Sequence, residues 1–153
     1  MKRFLVIGVV LLLVGAVVAT AQDWRLEPAF GTVELRAGFS PDPNRTELVA
    51  GGNINLDRLG YWGYVANAPD VDLIYQASST WPLVIRAESD ADLVLLVNAP
   101  DGSWHFNDDY PGYGLNPAIV FQNPQSGMYN IWVGTFGSST APAVLMISEF
   151  SSW

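Results

Sequence analysis

Cysteine is absent from all 153 residues, histidine occurs once, at His105, and the single lysine is Lys2. Without thiols the chain forms no disulfide, carries no lipid on an N-terminal cysteine and builds no thiolate metal site. Positive charge is scarce elsewhere too. Beyond residue 21 only Arg25, Arg36, Arg45, Arg58 and Arg86 remain, scattered singly against fifteen Asp and Glu, so the balance there is −10 where the whole chain has −8. Gripping a phosphate backbone or anionic lipid heads needs clustered positive charge, which argues against nucleic acid and acidic membrane surfaces as partners. Divalent cations and neutral ligands such as sugars fit this balance.

A long apolar run occurs only at the start. Lys2-Arg3 precede an apolar stretch over residues 4–19 that closes on Ala19-Thr20-Ala21, small residues of the kind a signal peptidase reads. The pattern predicts a cleaved signal peptide over residues 1–21 and an exported mature chain from Gln22, periplasmic, at the cell surface or extracellular, with no membrane span after cleavage. A retained anchor is the competing reading, but the stretch is short for a span of about 20 residues. Residues 22–153 suit one domain with a core large enough to need neither metal nor disulfide.

Within that domain no window sustains helical periodicity over three turns. Short β-branched, aromatic and aliphatic runs recur instead, each closed by Gly, Pro, Asn or Asp. The reading is all-β, with strands near 32–38, 46–51, 63–66, 71–77, 83–87, 93–98, 104–107, 118–122, 129–136 and 143–150, forming a single antiparallel sandwich of jelly-roll type. Leu93-Val94-Leu95-Leu96-Val97 lacks polar alternation and is expected to be buried on both faces. Ala99-Pro100-Asp101-Gly102 presets a tight turn that makes a hairpin of 93–98 and 104–107, and Pro124-Gln125-Ser126-Gly127 sets another turn. No repeat of 20–50 residues points to a solenoid or propeller.

That hairpin places Asp90 and Asp92, ahead of its first strand, beside Asn107, Asp108 and Asp109 at the end of its second. Four carboxylates at one sheet end repel, and a hard cation taking six to eight oxygens relieves the repulsion. Calcium is the expected ion, because softer metals want Cys and His. The same acids also suit ordinary solvated loops, and the spacing is not that of the twelve-residue helix–loop–helix calcium loop. His105, between Trp104 and Phe106, reads as an exposed or hydrogen-bonded strand residue. No Gly-x-Ser-x-Gly turn offers it a nucleophile to activate. Asp108 and Asp109, as neighbours on a strand, would point to opposite faces, which speaks against a glycosidase pair. The expectation is therefore a non-enzymatic protein.

Aromatic residues form a second constellation, with Trp62 in a glycine-flanked segment and Trp104, Tyr110 and Tyr113 around the acidic loop. Exposed rings of this kind can stack on sugar faces, and more often pack a core or a loop.

The sequence resembles the bacterial pre-peptidase C-terminal domain family over roughly residues 66–136. The resemblance runs through Asp90-Ala91-Asp92-Leu93-Val94-Leu95, Pro100-Asp101-Gly102, Asn107-Asp108-Asp109, Leu115-Asn116-Pro117 and Ser126-Gly127-Met128-Tyr129-Asn130-Ile131-Trp132-Val133-Gly134. It implies a secreted, non-catalytic jelly-roll-like sandwich, in a family whose collagen-binding relatives include calcium binders. The leading expectation is an exported interaction module that binds calcium through Asp90, Asp92, Asn107, Asp108 and Asp109 and meets an unidentified protein or polysaccharide partner. A carbohydrate-binding module using Trp62, Trp104, Tyr110 and Tyr113 is the alternative. A self-assembling surface or fibre subunit, a homo-oligomer paired through open sandwich edges at the apolar 144–147 run and Phe150, is a further one. A small outer-membrane barrel is the least favoured, since its strands would need about 9–11 alternating residues.

Overall fold

The structure, a computed structural model, describes residues 22–150; the expected signal peptide and the last three residues lie outside it. The described residues form strands β1 (Thr32–Arg36), β2 (Asn44–Ala50), β3 (Ile54–Asn55), β4 (Tyr64–Val65), β5 (Val71–Gln76), β6 (Leu83–Glu88), β7 (Leu93–Asn98), β8 (Trp104–Asn107), β9 (Ala118–Phe121), β10 (Gly127–Thr135) and β11 (Ala141–Ser148), with one turn of 3-10 helix at Leu56–Leu59. Two sheets pack face to face, as the patterning predicts. The first, of seven strands, runs β1-β5-β10-β7-β8, with β4 and β3 continuing past the end of β5 on the same side of β10; the second runs β2-β11-β6-β9.

All pairings are antiparallel except that of β1 with β5, which run parallel, so the first sheet is mixed rather than wholly antiparallel. A parallel neighbour needs a long crossover, and the chain makes one through β2, β3 and β4. The 144–147 run lies in β11, which is held on both edges by β2 and β6 and has no free edge to offer a second copy. Pairing through the edges of β11 is thereby closed, whereas Phe150, the other part of that expected surface, is exposed. No helix among the described residues is long and apolar enough to cross a membrane.

Alternate residues of the strands fill the space between the sheets, among them Leu73, Tyr75, Ile85, Leu93, Leu95, Val97, Ile131, Val133, Leu145 and Ile147. The absence of alternation in β7 has a local cause. Its odd-numbered side chains enter this core, while Val94 and Leu96 point to the outer face and are buried there with Trp132 under a flap made of β3, the 3-10 turn and β4, which contributes Leu56 and Val65. The second cover is thus a flap and not another sheet. Glycine lets it lie close. A Cβ on Gly134 would stand 2.5 Å from the Tyr64 carbonyl oxygen, and one on Gly52 would stand 2.3 Å from that of Val65. A side chain at either position would lift the flap off the sheet.

β10 changes neighbour from β5 to β4 along one edge, and Val133 falls in the gap between the two registers. The buried Asp70 closes it, its Oδ2 accepting the Val133 N–H at 2.7 Å. Burial pushes the Asp70 carboxyl up to about 7, against the opposing pull of that N–H. A second buried carboxylate, Glu149, accepts the Gly38 N–H at 2.8 Å and the Tyr75 hydroxyl at 2.7 Å.

Candidate functional site

The β7–β8 hairpin forms in the expected register, with Leu95 opposite Asn107 and Asn98 opposite Trp104. Its turn is fixed by Gly102 N–H on the Ala99 carbonyl and by Asp101, whose Oδ1 accepts both the Ser103 N–H (2.9 Å) and the Ser103 hydroxyl (2.6 Å). These bonds hold the Asp101 carboxyl below the ordinary carboxylate range.

At the other end of the hairpin Asp92 precedes β7 while Asp108 and Asp109 follow β8, and one carboxylate oxygen from each lies within 4.8 Å of the other two. The surrounding backbone is pinned. The Asp92 carbonyl accepts the Phe136 N–H, Leu93 N–H donates to Leu115, and Tyr110 N–H donates to Asn116. Asp92 Oδ1 is sealed from solvent with no hydrogen-bond partner among the described residues. Burial raises the Asp92 carboxyl above its usual range and Asp109 adds to the rise; burial likewise raises Asp108, with Asp109 and then Asp92 contributing repulsion. Three acids are thus crowded where like charges disfavour full ionisation, the environment a divalent cation relieves.

The other two expected ligands sit differently. Asn107 is adjacent, but its Oδ1 accepts the Ala118 N–H at 2.9 Å and so ties β8 to β9 across the two sheets. Asp90 is exposed, outside the Asp92-Asp108-Asp109 group, and lines a shallow surface groove with Glu47 and Glu88.

His105 Nε2 lies 2.9 Å from Ser103 Oγ, and its ring meets Phe121 edge-on. The resulting row places serine between the carboxylate and the imidazole. Nucleophile activation needs the opposite order, with histidine in the middle, so this serine gives its one proton to Asp101 or His105 and no carboxylate among the described residues is hydrogen-bonded to the imidazole.

The four expected aromatic contacts fall in three places. Trp62 is exposed on the flap. Tyr110 and Tyr113 stack on each other at 5.3 Å, with the Arg86 guanidinium over Tyr113. Trp104 is separate from both, packed against Trp132 at 5.4 Å on the outer face of the seven-stranded sheet. There it walls a groove shared with Trp24, a residue the sequence reading passed over.

No family model and no curated protein matches the chain, so the resemblance to pre-peptidase C-terminal domains rests on its short motifs. Among solved structures the fold is similar to that of Aeromonas hydrophila PliG, a periplasmic lysozyme inhibitor of g-type lysozyme, at 16% identity and a TM-score of 0.41, covering 76% of this chain and 96% of that one. At this degree of likeness the comparison bears on neither ligand nor activity.

Proposed function

We propose that this protein is an exported, non-catalytic β-sandwich interaction module whose β7–β8 corner takes a calcium ion between Asp92, Asp108 and Asp109. The observation that carries the reading is the convergence of three carboxylates within 4.8 Å, reached from two separate segments of chain. Bound calcium would join the start of β7 to the loop after β8 and offset the repulsion among the acids, with water completing a shell that three carboxylates do not fill. The secretory pattern of residues 1–21 supports export, and the order Asp101-Ser103-His105 supports a role without covalent chemistry.

Thermal unfolding of the purified protein in chelator and in millimolar calcium, with magnesium as control, tests the reading. Calcium at a hundredfold excess over its dissociation constant is expected to add about 2.7 kcal/mol. Asp108→Ala is expected to lose that gain and to retain the fold in chelator. Equal midpoints in chelator and calcium for the unsubstituted protein would overturn the calcium site.

A further inference from the structure

Four neighbouring strands bring one row of side chains across the outer face of the seven-stranded sheet. Asn130 of β10 stands opposite Asp72 of β5 on one side and Asn98 of β7 on the other, and Asn98 stands opposite Trp104 of β8. Directly paired residues share a face, and strands lie about 4.8 Å apart, so the row runs roughly 14 Å. Its three polar members are almost wholly buried, with Asp72 7%, Asn98 8% and Asn130 3% exposed.

Their donors are spent inside the protein. Asn130 Nδ2 donates to Asp72 Oδ1 at 2.7 Å and faces the Trp24 carbonyl at 3.5 Å, while Asn98 Nδ2 faces the carbonyls of Gly102 and Ser103 at 3.2 and 3.4 Å. The remaining oxygens, Asp72 Oδ2, Asn130 Oδ1 and Asn98 Oδ1, accept no hydrogen bond among the described residues and are not among its sealed atoms. Buried polar side chains ordinarily have their capacity filled. Here three acceptors with no partner among the described residues reach solvent in one line. Asn98 and Asn130 floor a groove of about 420 Å3 walled by Trp24, 46% exposed, Trp104, 38% exposed, and Met128.

We infer that this groove binds a short segment of a neutral glycan, its C–H faces on Trp24 and Trp104 and its hydroxyls donating to Asn98 and Asn130. Flat apolar walls beside a line of acceptors match a pyranose, which offers an apolar face and a rim of O–H donors. An anionic ligand would approach a chain of net charge −8 and find no cationic side chain among the described residues lining the groove. A cationic one would find no carboxylate among the described residues lining the groove. The groove sits at the turn end of the β7–β8 hairpin, about 20 Å along the strands from the acidic corner, and the inference stands without calcium.

The test is calorimetric and fluorescence titration of the full protein, in chelator, with cellohexaose, xylohexaose, maltohexaose and N-acetylchitohexaose, and with a heparin fragment and a lysine-rich peptide as charged probes. At least one neutral glycan is expected to bind and to shift tryptophan emission. Trp24→Ala, at an exposed position, is expected to weaken that binding about tenfold with an unchanged unfolding midpoint. Trp104→Phe, which keeps an aromatic ring against Trp132, is expected to weaken it less. Binding by none of the four neutral glycans would overturn the inference, as would glycan binding that Trp24→Ala leaves unchanged. Binding of only the lysine-rich peptide, lost in Trp24→Ala, would make the groove a cation-docking surface and overturn it too.

Discussion

Carboxylates with oxygens shut off from solvent occur in this fold in two conditions. Asp70 and Glu149 lie deep in the structure and are met by donors: the Val133 N–H for the first, the Gly38 N–H and the Tyr75 hydroxyl for the second. Asp92, at the β7–β8 corner, has a sealed oxygen that no donor meets, and its near neighbours are two more acids. A carboxylate that closes a gap in the backbone ladder is matched by the N–H left over from that gap, and its role ends there. A carboxylate whose neighbours are acids lacks such a match among the described residues, and on the proposed reading a cation supplies it. The contrast separates acids that hold the fold from acids disposed to hold something else.

The largest effect expected of either group comes from Asp70, whose folded value of about 7 stands above its ordinary 3.8. Folded protein keeps this proton over a range in which unfolded protein has released it. Its contribution to stability is therefore fully present below pH 3.8 and is lost as pH rises through about 7, by on the order of 4 kcal/mol. Chemical denaturation in chelator at pH 4.5, 6 and 8 is expected to show this fall. Asp70→Asn, which carries no proton to release, is expected to flatten it; an unchanged slope in that variant would move the effect to another group.

Calcium at the corner carries the opposite sign. The ion needs Asp92 and Asp108 ionised, and both carboxyls are raised above the usual range, so the gain of about 2.7 kcal/mol fades as pH falls toward that range. The midpoint difference between calcium and chelator is expected to be wider at pH 7.5 than at pH 5. A somewhat smaller effect sharpens the donor-matched side of the contrast. Tyr75→Phe removes the hydroxyl from Glu149 but leaves the Gly38 N–H in place, and it is expected to cost about 2 kcal/mol in urea unfolding. That loss should be the same with and without calcium.

How much of this was legible in the sequence depended on how far apart the paired residues lie. The hairpin of β7 and β8 is local, its turn chemistry stands in Pro100-Asp101-Gly102, and its register follows, so the meeting of Asp92 with Asp108 and Asp109 could be read directly. Every long strand was legible from its apolar run. β3 and the 3-10 turn were not, because the segment around Asn53-Ile54-Asn55-Leu56-Asp57 has too few apolar residues to show a period. The parallel placing of β1 left no local trace either. The row at the groove needs pairings between segments far apart, Asn130 bonding Asp72 at a separation of 58 residues, and Trp24 reaches it from outside any strand. A signal did exist: Asp72, Asn98 and Asn130 are polar residues in otherwise apolar strands, and each marks the outer face. Asn107 shows the limit of proximity in sequence, since its acceptor belongs to Ala118 across the sandwich.

The smallest expected effect is the one that divides the two kinds of acid most cleanly. Asp92→Asn removes one of the three converging charges and keeps the shape of the side chain. The substitution relieves repulsion among Asp92, Asp108 and Asp109, so in chelator the variant is expected to be more stable than the parent by about 0.5 kcal/mol at pH 7.5. In calcium the order reverses, because the parent gains the ion and the variant does not. Donor-matched acids have no such crossing: removing Tyr75 from Glu149 costs stability in both solutions. Paired urea unfolding curves of parent and Asp92→Asn, in chelator and in calcium, read the crossing directly, and curves that keep one order in both solutions would place Asp92 with the acids that only hold the fold.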